Sequence, residues 1–269
     1  MRTTISVSVE TLSGATTGVG KLLDLFGAYA IRASFFVSLG PGRDTGFLKR
    51  RMPSSHIAGH LDVLRAIPEA GHDLGMAPWD SAAWAAHAAH ADEQWTRTQW
   101  QQAVDSWQGA FDDNPASHAA SSFQVNPWLF VIEQQADLAY ASDVLGKSPF
   151  LPVMQEQPGH CPQLPVTLVP APVLRAAGGI PGEKLHEELF ALSQKILPMG
   201  QHWRIDADEN PDLVEKMIVM WKGMWREFLP LSAIAEAAAM ADIRQHGVGW
   251  DQLADGSWAA TQSLPSADI

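Results

Sequence analysis

The chain opens on alternating apolar and polar positions: in TISVSVE, Ile5, Val7 and Val9 alternate with Ser6 and Ser8. That period of two predicts a strand with one buried face. In TGVGKLLDLFGAYA the spacing changes, with Val19, Leu22, Leu23 and Phe26 on one face of a helix, and RASFFVSLG then reads as a second strand. The same alternation continues. HLDVLRAI predicts a helix stopped by Pro68, DLGM a short strand, and DEQWTRTQWQQAVDSWQGAF a long helix. SSFQV, LAYAS and LPVTLVP read as further strands, with helices over GEKLHEELFALSQKI and PDLVEKMIVMWKGMW. Alternating strands and helices imply a mostly parallel sheet wrapped by helices, closed or partly closed, with function at the carboxyl ends of the strands. Residues 1–250 form one domain in this reading, and 251–269 a loosely ordered tail.

Composition narrows the function classes. With 269 residues, 46% of them hydrophobic, the chain can bury a full core. A formal charge of −12 with only 18 Lys and Arg argues against nucleic acid, because phosphate binding needs clustered cations. The densest basic run, LKRRMP, reads as a solvated loop. Its single cysteine, Cys161, excludes an intrachain disulfide, and the start lacks a charged-apolar-small cleavage pattern. The cytoplasm is therefore the expected compartment, with the inner membrane face as the place of any contact. No apolar run approaches the roughly 20 residues that span a bilayer, so such contact is at most peripheral.

The stretch GHDLGMAPWDSAAW carries a strand end, a Trp-Asp pair and a second Trp, but Ala77 and Ser81 stand where a metal-binding reading calls for two histidines. Together with SVSVETLSGATTGVGKLLDLFGAYAIRASFFVSLGP, HIAGHLDVLRAIPEAGHDLGMAPWDSAAW, QLPVTLVP and FLPLSAIA, it resembles the NodB-homology polysaccharide deacetylases (carbohydrate esterase family 4). Within them it resembles most the 4-deoxy-4-formamido-L-arabinose-phosphoundecaprenol deformylase branch. The resemblance runs in order through most of the chain. It implies a distorted (β/α) barrel and hydrolysis of an N-formyl or N-acetyl group by metal-bound water, on a sugar carried by a polyprenyl phosphate.

That chemistry needs a carboxylate and two imidazoles on the ion, a base for the water and an acid for the leaving amine. The family's Asp-x-Asp, base then ligand, falls on Ser8-Val9-Glu10, and its two histidines fall on Ala77 and Ser81. Serine is no carboxylate base, and neither a methyl nor a hydroxyl replaces imidazole. The family's arginine, which orients the base, should lie near Gln124 or Asn126, yet no Arg occurs between Arg97 and Arg175. Counting back from FLPLS places the family's late acid on His202, while His60, Trp79, Asp80, Trp84 and Asp143 occupy matching positions. Each also has a plainer reading as packing or loop anchoring.

His87 and His90, at i and i+3 in HAAH, make half of a relocated metal site, and Ser8 or Ser81 with His202 would make a dyad. The first needs a third ligand such as His72 or Asp92 to converge with an open position for water, and the second lacks a strained Gly-x-Ser-x-Gly turn. The resemblance together with these substitutions implies a catalytically degenerate protein that binds no metal or other cofactor. Its partner would be an amino sugar, free or polyprenyl-phosphate-linked, held by Glu10, His60, Trp79, Asp80, Asp143 and His202. The alternatives are an active N-deformylase or N-deacetylase with an atypical site, and an interaction subunit with a closed pocket, for which an active homologue is the first candidate partner.

Overall fold

The computed structural model describes residues 1–46, 49–50 and 52–263. Leu48 and Arg51 of the basic run, and residues 264–269 of the expected tail, lie outside the described residues. In chain order the elements are β1 (Arg2–Val9), α1 (Val19–Ala28), β2 (Ser34–Val37), α2 (Leu61–Glu69), β3 (Asp73–Met76), α3 (Ser81–His87), α4 (Glu93–Phe111), β4 (Ser117–His118), α5 (Pro127–Gln135) and β5 (Tyr140–Ala141). They continue with β6 (Leu151–Met154), β7 (Gln157–Pro158), α6 (Ala171–Ala176), α7 (Leu185–Leu192), β8 (Gln201–Asp206), α8 (Pro211–Gly223), β9 (Glu227–Phe228), α9 (Leu231–Ala239), β10 (Gln245–Gln252) and β11 (Trp258–Ser263).

The main sheet is parallel, in the order β5-β4-β3-β2-β1-β8, with β9 paired to the start of β1. Isolated bridges join Ala141 to Gln163, Leu145 to Val166 and Leu168 to Trp203, so the segment carrying LPVTLVP closes the gap between β5 and β8. The result is a distorted barrel with helices outside it, as the alternating pattern predicts.

The reading of β1 as one-faced needs correction, because every residue from Thr3 to Val9 is buried. Strand pairing explains this. Ser6 and Ser8 lie opposite Arg204 and Asp206 of β8, and paired residues in parallel strands point to the same side. Ile5, Val7 and Val9 join the large apolar core with Val19, Leu22 and Phe26 of α1. The serines face the barrel interior instead, where Ser6 Oγ lies 2.7 Å from His202 Nε2. Phe36 and Ala77 belong to a second, smaller apolar cluster with Tyr140, Leu164 and Leu231.

Three further expectations change. SSFQV is a single helical turn, Ser121–Phe123, and the strand precedes it. Ser122 and Phe123 have φ near +55°, which no strand permits. Pro68 does not stop α2 but sits in its last turn, and the helix runs one residue beyond it to Glu69. Within the expected tail, Trp258–Ser263 form β11, paired antiparallel to β10 from Gly247–Ser263 to Gln252–Trp258, with Ala259 and Ala260 buried. No helix among the described residues is long and apolar enough to cross a membrane.

Candidate functional site

Successive strand ends build the mouth of the barrel. Ser38 N donates to Val9 O and Ala77 N to Val37 O, so Glu10, Ser38 and Ala77 follow their strands at one level and one end. On the other flank Ser8 pairs with Asp206, the last residue of β8. A cavity of about 190 Å³ opens there, lined by Ser8, Glu10, Arg43, Phe123, Arg204 and Asp206, with Glu209, Asp255 and Ser257 at its rim. Asp255 and Ser257 belong to the β10–β11 turn, so this hairpin reaches over the mouth.

Charge in this cavity is unevenly compensated. Glu10 is buried and its Oε2 lies 3.2 Å from Arg43 Nη1. Glu209 pairs with Arg175, and Asp255 accepts from Ser257 N and Oγ. The Asp206 carboxylate has no hydrogen-bond donor among the described residues. Burial and then the Glu10 carboxylate push its pKa up to about 6, against the pull of Arg43. Arg204, 7% exposed, donates to Ala120 O, Ser142 O and Ser142 Oγ and lies over the Phe123 ring at 5.0 Å. Its Nε is buried without a partner. Burial lowers the Arg204 pKa to about 10, while Asp143, Glu10 and Asp206 oppose the shift, so it stays charged at neutral pH.

Several expected residues stand elsewhere. His202 is not at the mouth: it pairs with Thr4, low in the barrel, with Nε2 against Ser6 and Nδ1 against Pro165 O. Burial and then Arg204 lower its pKa to about 3, so it is neutral and no acid at working pH. The residue of β8 that faces Ser8 is Asp206. Asp80 caps α3 by accepting from Ala83 N and pairs with Arg50, while Trp79 packs on Gly40 and meets the His56 ring at 5.5 Å. His60 ends a helical turn before α2, away from the cavity. His87 and His90 are exposed on α3 and the turn after it, and neither belongs to a three-ligand cluster.

Asp143 is fully buried and belongs to a network that sequence reasoning missed. His118 Nδ1 lies 2.9 Å from Glu133 Oε1 and 3.0 Å from Asp143 Oδ1. Gln163 Nε2 donates to Glu133 Oε2 and Asp143 Oδ2, and Ala120 N to Asp143 Oδ1. The one available signal was Glu133 within the apolar run PWLFVIEQQ. Although burial opposes charge on His118, Asp143 and Glu133 hold its pKa up at about 9. Burial and then Asp143 raise Glu133, whereas for Asp143 burial is overcome by the His118 charge and the hydrogen bonds from His118, Glu133 and Gln163 together, which lower it. Among the described residues this is the only cluster with three possible metal ligands within 4.8 Å. Each carboxylate oxygen already accepts a hydrogen bond, and the ring packs against Trp100 and Trp84. The cluster is thus held by protons and ties α5 and β5 to β4.

The ion implied by the resemblance can be tested on the donors at the mouth. Glu10 already faces the Arg43 guanidinium, Ala77 offers a methyl, and Ser81 Oγ is buried with no hydrogen-bond partner. At the three positions where the resemblance places the ligands, one paired carboxylate, one methyl and one sealed hydroxyl do not make the set of converging ligands that a divalent ion takes.

Comparison with known proteins agrees with the fold. No family model matches the chain. It is 25% identical over 266 residues to the probable 4-deoxy-4-formamido-L-arabinose-phosphoundecaprenol deformylase ArnD of Shewanella sediminis (strain HAW-EB3), covering 84% of this chain and 83% of that protein. A structure from Mycobacterium smegmatis described as a polysaccharide deacetylase superposes with a TM-score of 0.63 at 17% identity, over 90% of this chain and 92% of the other. A family 4 carbohydrate esterase pseudoenzyme from Bacillus anthracis gives 0.58 at 12% identity, over 94% and 68%. The family 4 acetyl xylan esterase of Clostridium thermocellum, in complex with a cobalt ion, gives 0.55 at 13%, over 89% and 92%. In sequence the chain is thus similar to a probable amino-sugar deformylase, and in fold it is that of the polysaccharide deacetylases and family 4 carbohydrate esterases.

Proposed function

We propose that this protein binds an amino sugar, free or carried on a polyprenyl phosphate, without hydrolysing its N-acyl group. The observation that carries this reading is the donor set at the mouth: Glu10 paired with Arg43, Ala77 as a methyl, Ser81 sealed, and Ser8 in place of a carboxylate base. A positioned general base is worth about 10²–10⁴ in rate, and the metal supplies the nucleophile at neutral pH besides. Losing both leaves no route to amide hydrolysis, whereas binding needs only a concave, polar cavity with an apolar wall. The cavity lined by Phe123, Ser8 and charged side chains has that character, and the similarity to ArnD supports an amino sugar as occupant.

Two measurements test the reading. Incubation with formylated and acetylated amino sugars, with and without added zinc or cobalt, should release no formate or acetate above a protein-free control. Metal-dependent turnover that Glu10→Gln abolishes would refute it. Calorimetry should in turn detect the free amino sugar or a short-chain lipid-linked analogue at millimolar concentration or below, about −4 kcal/mol or stronger. If neither binds, the role of partner to an active homologue becomes the better reading.

A further inference from the structure

Helix α8 ends on a residue that its own geometry does not favour. Trp225 N donates to Lys222 O and Arg226 N to Trp221 O, the paired bonds that close a helix through one left-handed residue. That residue is Trp225, with φ at +56°. Glycine is the usual occupant of such a position, because a side chain there is strained. A strained residue is ordinarily held in place by its contacts, yet Trp225 is 91% exposed. No packing within the fold offsets the strain, which marks the indole as serving a surface outside the chain.

Other apolar side chains gather around it. Met224 precedes it, Val219 lies on the exposed face of α8, and Ile196 is 86% exposed. Trp221 Nε1 donates to Ser193 Oγ and Arg226 Nη2 to Ser193 O, which holds the segment carrying Ile196 against the end of α8. These four are half of the large hydrophobic side chains exposed among the described residues. Exposed apolar side chains that cluster, in place of scattering singly, mark a contact surface.

Charge decides what meets that surface. Lys195 and Lys222 flank the patch, both exposed and neither in an ion pair among the described residues. Arg2 and Glu227 beside them offset each other, so the rim is positive on a chain of net charge −12. A second copy docked face to face through a two-fold axis would set these lysines against their own counterparts, which is unfavourable. An anionic bilayer suits both parts of the patch. The lysines meet the headgroups, and the indole and its apolar neighbours enter the interface, where tryptophan is favoured.

We propose that the end of α8, with Trp225 at its tip and Lys195 and Lys222 at its rim, is the surface through which this protein docks on an anionic lipid bilayer. The patch lies beside the amino ends of β1 and β9, and the mouth lies at the carboxyl end of β1, so docking leaves the mouth open to water. The proposal does not depend on what the mouth binds.

The test is co-sedimentation of the full chain with vesicles of phosphatidylcholine alone and of phosphatidylcholine mixed equally with phosphatidylglycerol. Binding should be at least about tenfold stronger to the anionic vesicles and should weaken as salt is added. Trp225→Gly separates docking from folding, because glycine relieves the left-handed strain: its urea midpoint should rise while its vesicle binding falls about tenfold. Lys195→Gln combined with Lys222→Gln should remove the preference for anionic lipid. No binding to the anionic vesicles, or binding that Trp225→Gly leaves unchanged, overturns the proposal. A concentration-dependent dimer, seen by light scattering and lost in Trp225→Gly, with no vesicle binding, also overturns it and assigns the patch to a second copy. None of these outcomes bears on the sugar reading, which has its own measurements.

Discussion

At the scale of single residues, Asp206 carries a cost that the rest of β8 does not. Its folded pKa of about 6 lies above the ordinary 3.8, so the fold favours the protonated carboxyl. That contribution is fully present below pH 4 and is lost as pH rises through 6, leaving an ionised group that burdens the folded state at neutral pH. Asp206→Asn should therefore stabilise the protein by about 2–3 kcal/mol at pH 7.5, with the gain vanishing near pH 4. Urea melts of both proteins across that range check it. His118 shows a different balance: its folded pKa of about 9 exceeds 6.5, so its contribution is complete below pH 6.5 and fades as pH passes 9. His118→Gln should cost about 3–5 kcal/mol at pH 6, because two buried carboxylates lose their cation, and the gap to wild type should narrow by pH 9.5 in the same melts. Glu10 was legible from the sequence as a mouth residue, whereas Asp206 was not. Alternation tells which face of β8 a side chain takes, and His202, Arg204 and Asp206 share one face. Height along the barrel is set by pairing with β1, and that pairing puts His202 beside Thr4 and Asp206 beside Ser8.

At the scale of elements, the long helices and the first three strands followed from periodicity, because each has an apolar face and a helix cap or turn at its ends. Asp92 caps α4 by accepting from Trp95 N; α5 was not read from the sequence, although Asn126 caps it in the same way. Short pieces were harder. β4 has two residues, too few to show a period; β5, read from LAYAS, spans only Tyr140–Ala141, and the LPVTLVP segment makes single bridges instead of a ladder. β11 was hidden by its exposed Trp258 and polar Thr261 and Gln262, although Ala259 and Ala260 are buried. Close packing at the lip sets its own requirement. Gly40 N donates to Trp79 O, and a Cβ at position 40 would stand 2.2 Å from that oxygen and 2.7 Å from the indole. Gly40→Ala should cost about 2–3 kcal/mol in denaturant melts, since the loop after β2 must then part from Trp79. An unchanged midpoint would show that the Trp79 segment moves freely.

At the scale of the whole molecule, fold class was legible in the order of strands and helices, while the use made of the mouth was not. The residues that matched the resemblance, Trp79, Asp80 and Asp143, support the lip and the β4–β5 side, and the cavity itself is lined by Arg43, Phe123, Arg204 and Asp206. Distant segments had to be brought together before that division could be seen. The central place of β1 has a kinetic consequence. Its neighbour β2 is about 28 positions away, but its other neighbour, β8, is about 200 positions later. Closing the longer loop costs about 2 kcal/mol more chain entropy than closing the shorter one. Until β8 arrives, β1 keeps an unpaired, largely apolar edge, and during synthesis it must wait for about 200 further positions. Refolding from denaturant should be slow, on the seconds scale or longer, and pass through a dye-binding species whose yield of native protein falls as concentration rises. Stopped-flow dye fluorescence at several protein concentrations measures this directly; a single fast phase with no dye-binding burst would mean that β1 finds β8 before the rest of the sheet forms.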